Sequence, residues 1–131
     1  TKAFAGLLLR GKLAYIMFID EKTQVEILAD LNCSLIHGTF RACDLIPAFL
    51  VAIANTSEYA QIVQTNNWNL KVIFDCSADD HDERWESDDI FYFLNETLFD
   101  ILNDYAPEGY YFGAHPGDGS DFGFWVIDDQ L

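Results

Sequence analysis

The sequence predicts an α+β fold: a single compact domain over 1–131, mainly antiparallel sheet, with N-terminal and C-terminal hairpins packed against two to three helices. Three observations predict it. Apolar runs of strand length open the chain, and apolar residues at helical spacing fill its centre and the 87–105 segment. Aromatic runs on either side of a glycine-rich turn close it. With 131 residues, 50% of them hydrophobic and 15% aromatic, the chain has enough apolar material for one ordinary core, and pervasive disorder is excluded.

Residues 3–9 and 13–19 are apolar runs joined by a polar turn at Gly11, the pattern of a hairpin. Arg10, Gly11 and Lys12 split this stretch into pieces far below the roughly 20 apolar residues of a spanning helix, so a soluble, cytosolic protein is expected. Three widely spaced cysteines (Cys33, Cys43, Cys76) with no C-x-x-C pair fit the same reducing compartment. Residues 24–30 alternate and predict a weaker strand, with a helix through 22–31 as the competing reading. Leu35 to His37 form a short strand ended by Gly38.

The middle turns helical. Leu45, Phe49, Ala52 and Ile53 share one face, with Asp44 as the expected N-cap and Pro47 tolerable only near the first turn. Thr56 or Ser57 caps a second helix through Gln64, the Asn66-Asn67-Trp68 break follows, and residues 70–75 read as a strand. Ser87 caps the longest helix, in which Ile90, Phe91, Leu94, Leu98, Ile101, Leu102 and Tyr105 keep helical spacing until Pro107 and Gly109 stop it. Aromatic runs at 110–115 and 122–127 flank Pro-Gly-Asp-Gly-Ser-Asp as a β-hairpin. Phe122, Phe124 and Val126 lie on one face, Trp125 and Ile127 on the other.

Charge is the main functional clue. Residues 1–74 carry six acids and six bases, whereas residues 75–131 carry sixteen acids and the single base Arg84, so the whole net charge of -15 lies in the C-terminal part. That density excludes nucleic acid and anionic membranes as direct partners and costs stability by self-repulsion. Asp79, Asp80, Asp82, Glu83, Glu86, Asp88 and Asp89 crowd the approach to the long helix. Glu96, Asp100 and Asp104 then follow at i, i+4 and i+8 along one helix face, an acidic ridge with a carboxylate every ~5.4 Å. Asn95 and Asn103 are neutral neighbours with no expected role.

Catalytic and metal patterns are weak. Asp79, Asp80, His81, Asp82 and Glu83 offer oxygen and nitrogen ligands, but consecutive residues cannot all converge on one ion without a turn, and the stretch holds no glycine. Asp118, Ser120, Gly123 and Asp129 fall at calcium-loop positions, but Phe122 stands where a ligand belongs, and Gly117 and Gly119 precede a strand rather than a helix. Asp121-Phe122-Gly123 matches a kinase tripeptide in a chain far too short for a kinase. Cys33 and His37 show no wider nucleophile pattern, so neither a catalytic residue nor a metal or cofactor site is assigned.

The expectation is a non-enzymatic acidic binding or inhibitor protein whose C-terminal half engages a basic, nucleic-acid-binding protein surface. By compositional analogy it would stand in for DNA, as small phage or plasmid antirestriction and anti-CRISPR proteins do. One alternative is a small-molecule or metal-dependent activity at His115, Asp118, Asp121 and Trp125 of the hairpin. The other is an oligomeric structural protein, such as a homodimer, that uses the hairpin as its interface.

Overall fold

The computed structural model describes residues 23–127, which form an α+β domain in which five helices pack around a three-stranded antiparallel sheet. The hairpin expected at 3–19 lies outside the described residues. Residues 23–29 are helical (α1), not a strand. Beside the alternation Val25, Ile27, Ala29 stands the i, i+4 pair Thr23 and Ile27, and these two side chains are the ones buried, while Val25 and Leu28 stay exposed. Asn32 ends the turn after α1 in a left-handed conformation (φ 59°) that asparagine tolerates well. Its N–H donates to the Phe124 carbonyl at 2.9 Å and its Oδ1 accepts from Val126 N–H at 3.3 Å, tying α1 to the sheet.

Strand β1 (Ser34–Ile36) is the expected short strand, and helix α2 (Ala42–Ile53) follows. Asp44 is not the N-cap: Arg41 holds that position without a side-chain cap bond, and Asp44 lies in the first turn, where its carboxylate accepts from Thr39 Oγ1 at 2.6 Å. Pro47 sits deeper than the first turn, on the exposed side. The buried residues of α2 are Ala42, Cys43, Leu45, Ile46, Phe49 and Ile53.

Thr56 caps α3 (Ser57–Gln64), accepting from Tyr59 N–H at 3.1 Å. Asn66 (φ 51°) breaks the chain, and Asn67 caps α4 (Trp68–Cys76) through Leu70 N–H. The expected strand at 70–75 is thus the body of a helix. Its β-branched composition suggested a sheet, but Leu70, Ile73 and Cys76 are buried at helical spacing under a good asparagine cap.

Helix α5 spans the predicted 87–105 segment in three contiguous parts: α-helical Asp88–Tyr92, a π-helical stretch Phe93–Leu98, and α-helical Phe99–Asp104. Ser87 caps it, accepting from Ile90 N–H at 3.3 Å. The widened π turn places both Phe93 and Leu94 in the core, while Phe91, expected there, is 39% exposed.

Strands β2 (Tyr110–His115) and β3 (Asp118–Val126) form the expected C-terminal hairpin, and the sheet order is β1-β3-β2. The connection is only Pro116-Gly117, so Asp118 to Asp121 belong to the strand and not to the turn. Trp125, opposite Tyr111 in the register, is buried and donates from Nε1 to the Gly113 carbonyl at 3.0 Å. Among the described residues β2 is an edge of the sheet, and three of its backbone polar groups are occupied. Tyr110 N–H donates to the Pro107 carbonyl, Phe112 N–H to Asn103 Oδ1 at 3.1 Å, and the Ala114 carbonyl accepts from Tyr111 Oη at 2.7 Å. Asn103 therefore has a structural task that its place beside the acidic ridge did not suggest.

Two variants test this architecture. An alanine Cβ at Gly123 would lie 2.5 Å from the Cys33 carbonyl oxygen, a backbone atom that cannot step aside without moving β1. Gly123→Ala should cost about 2 kcal/mol, read as a lowered midpoint in thermal unfolding; an unchanged midpoint would refute the close β1–β3 approach. Asn103→Ala should cost about 1 kcal/mol through the lost acceptor for Phe112 N–H. The exposed Asn95→Ala should stay within about 0.5 kcal/mol, and equal effects of the two would remove Asn103 from the strand edge.

Candidate binding surface

The acidic stretch owes its shape to a few of its own carboxylates. Asp79 accepts from His81 N–H at 2.9 Å and its carbonyl holds Trp85 Nε1 at 3.0 Å, anchoring the loop on a buried indole. Asp82 caps a 3₁₀ turn at Glu83–Glu86, taking the Arg84 N–H at 3.0 Å and the Arg84 Nε and Nη2 at 3.1 and 2.8 Å. This fork and the backbone bond hold the Asp82 carboxyl well below the usual carboxylate range, and the same pairing pushes Arg84 further up. Arg84 also lies 3.8 Å from Asp75. Asp88 and Asp89 occupy the first turn of α5, where negative charge meets the positive end of the helix.

The remaining acids point outward. Asp79, Asp80, Glu83, Glu86, Asp88, Asp89, Glu96, Asp100 and Asp104 are exposed, and only Asp82 is half-buried. Among the described residues, Arg84 is the one cation within ion-pair distance of any of these ten. The ridge residues Glu96, Asp100 and Asp104 lie on the side of α5 opposite buried Leu94, Leu98 and Leu102.

The structure also assembles a groove that the sequence did not reveal. About 480 Å³ in volume, it brings Asp80, Asp82, Glu83 and Glu86 together with Phe40 and Phe91. Phe40 comes from the loop before α2 and Phe91 from the first turns of α5, so no local pattern joins them. The only sequence signal is that Phe40 follows Gly38-Thr39 outside any periodic run.

The alternative site at the hairpin is brought together only in part. His115 and Trp125 meet edge to face with ring centroids 4.6 Å apart, and His115 Nδ1 accepts from Gly117 N–H at 2.9 Å. Asp118 accepts from Ser120 N–H and Oγ, bonds that lower its pKa, with a smaller contribution from His115 and His37. Asp121 accepts from Ser34 Oγ on β1. Each group is thus engaged within the sheet. Four of the grooves on the described surface are lined without any of His115, Asp118, Asp121 or Trp125. Among the described residues no three His, Cys, Asp or Glu side chains converge as a metal cage.

The cysteines are free: Cys33 is exposed, whereas burial pushes the Cys43 and Cys76 thiols up, away from the reactive thiolate. Among the described residues no helix is long and apolar enough to cross a membrane. No protein-family model, curated protein or solved structure matches the chain.

The Asp82–Arg84 fork gives a pH signature. Because the folded Asp82 pKa is depressed, its stabilisation is present above the unfolded value of about 3.9 and is lost as pH falls through the folded value. Asp82→Ala should unfold at lower temperature at pH 7 and lose less stability than wild type between about pH 5 and pH 2. Parallel midpoint-versus-pH curves for the two proteins would show that the fork carries no linkage.

Proposed function

We propose that this chain is a non-enzymatic binding protein that lays its acidic C-terminal half against a basic protein surface, one built to hold nucleic acid. The observation that carries the reading is the exposure of nine carboxylates from the loop and α5, none of which has an ion pair with a cation among the described residues. Their mutual repulsion is a cost that a partner's lysines and arginines would relieve, and proteins densely basic for a functional reason usually bind phosphates. Carboxylates recurring with the turns of α5 then occupy the phosphate track. Electrostatic complementarity of this kind speeds encounter and sets specificity.

The test uses competition as well as mutation. Partners captured from a host lysate should be released by duplex DNA at constant ionic strength, because both ligands claim one surface. Glu96→Lys, Asp100→Lys and Asp104→Lys together should leave folding intact, each within about 0.5 kcal/mol at an exposed site, while the on-rate to the partner falls and its salt dependence weakens. Asn95→Ala is the neutral control. A folded triple variant that binds as before, or a partner that stays bound in saturating DNA, would overturn the reading.

A further inference from the structure

The groove beside the 3₁₀ turn has the chemistry to recognise one kind of basic side chain. Its floor is Ala42, Cys43 and buried Trp85. Phe40, 68% exposed, and Phe91, 39% exposed, line it with aromatic surface. Of the four carboxylates around it, Asp82 is taken by Arg84, whereas the side chains of Asp80, Glu83 and Glu86 have no cation within ion-pair distance among the described residues. Arg41 contributes to the lining, with its Nη2 3.5 Å from the Asp80 carbonyl and its Nη1 3.9 Å from Asp44, and it makes no ion pair with Glu83 or Glu86.

Exposed aromatic rings next to unpaired carboxylates suit a guanidinium better than an ammonium. The guanidinium is planar and weakly hydrated, so it stacks on a ring while its forked N–H groups meet a carboxylate. A lysine ammonium is a compact, strongly hydrated point charge and gains less from the rings. A small apolar ligand would leave the three carboxylates unanswered, and an anion would be repelled by them. We infer that this groove docks an arginine-bearing extended segment of the basic partner, with one arginine held against Phe40 and Phe91 and paired with Glu83 or Glu86. The inference rests on the binding function proposed above and adds the side chain that is recognised.

The test compares two peptides of equal length, spacing and net charge, one with arginine and one with lysine at every basic position. Each is titrated into the full chain by calorimetry, and the indole N–H resonance of Trp85 is followed by two-dimensional NMR. The arginine peptide should bind about tenfold more tightly and shift the Trp85 resonance. The double variant Phe40→Ala/Phe91→Ala should lose about tenfold for the arginine peptide and little for the lysine peptide. Glu83→Gln/Glu86→Gln, which keeps the shape of the groove, should weaken binding and flatten its salt dependence. The triple lysine variant of the α5 ridge should retain the arginine preference. Circular dichroism confirms that each variant is folded.

Equal affinity for the two peptides, no binding of either, or arginine-peptide binding untouched by folded Phe40→Ala/Phe91→Ala would overturn the inference. The two readings fail separately. Loss of the arginine preference while DNA still releases the partner removes the groove alone. An intact arginine preference with a partner that DNA cannot displace removes the nucleic-acid substitute alone.

Discussion

Phe49 is the side chain on which the arrangement of this domain depends. It is fully buried in α2, and its ring meets Phe99 of α5, Phe112 of β2 and Phe122 of β3 near edge-on, with centroids 5.3, 5.2 and 6.0 Å away. One residue thereby joins the central helix, the long helix and both strands of the hairpin. The neighbouring rings close on one another as well, Phe112 against Phe99 at 5.4 Å and against Phe124 at 5.1 Å. Edge-to-face pairs of this kind add about 0.5–1.5 kcal/mol each beyond the burial of their area. The cluster is neutral, so the packing of helix on sheet does not draw on the acidic side chains.

That separation explains how the chain tolerates its charge. Buried charges need partners, whereas exposed ones cost only screened repulsion. Acids are therefore free to accumulate where the core makes no demand on them. The stretch from Asp79 to Asp89 is not uniform, however. Asp79 and Asp82 work on the backbone and hold the loop in shape, while Asp80, Glu83 and Glu86 are left facing the groove. Trp85 links the two tasks, since its indole pins the loop through the Asp79 carbonyl and its ring floors the groove.

The sequence made some elements legible and hid others for definite reasons. α5 and the cap of α3 were readable because Ser87 and Thr56 precede runs whose spacing fits only a helix, and the hairpin because its aromatic runs are interrupted by glycine. Residues 70–75 read as a strand, and 24–30 as a weaker strand with a helix through 22–31 as the competing reading, because seven- to nine-residue apolar segments fit both periods. What decided them was which side chains the core accepted, Thr23 with Ile27 and Leu70 with Ile73, and that is tertiary information. Asp44 looked like a cap by residue type, yet α2 begins before it. The acids of the candidate surface were legible as a charge count, since exposure follows from charge. The groove was not, because Phe40 and Phe91 are brought together only by the packing of α2, the loop and α5.

The partly bonded rim of β2 bears on how this molecule behaves in a crowd of its own copies. Aromatic hairpins rich in β-formers are natural seeds for fibril growth, since an open strand edge recruits the next chain by its backbone. Here the Pro107 carbonyl, Asn103 and Tyr111 already occupy three backbone groups of β2, and among the described residues the opposite edge of the sheet is the three-residue β1. A newcomer strand would have to displace these bonds before it could extend the ladder. Mutual repulsion at long range and these bonds at contact both oppose the stacking of one copy on the next.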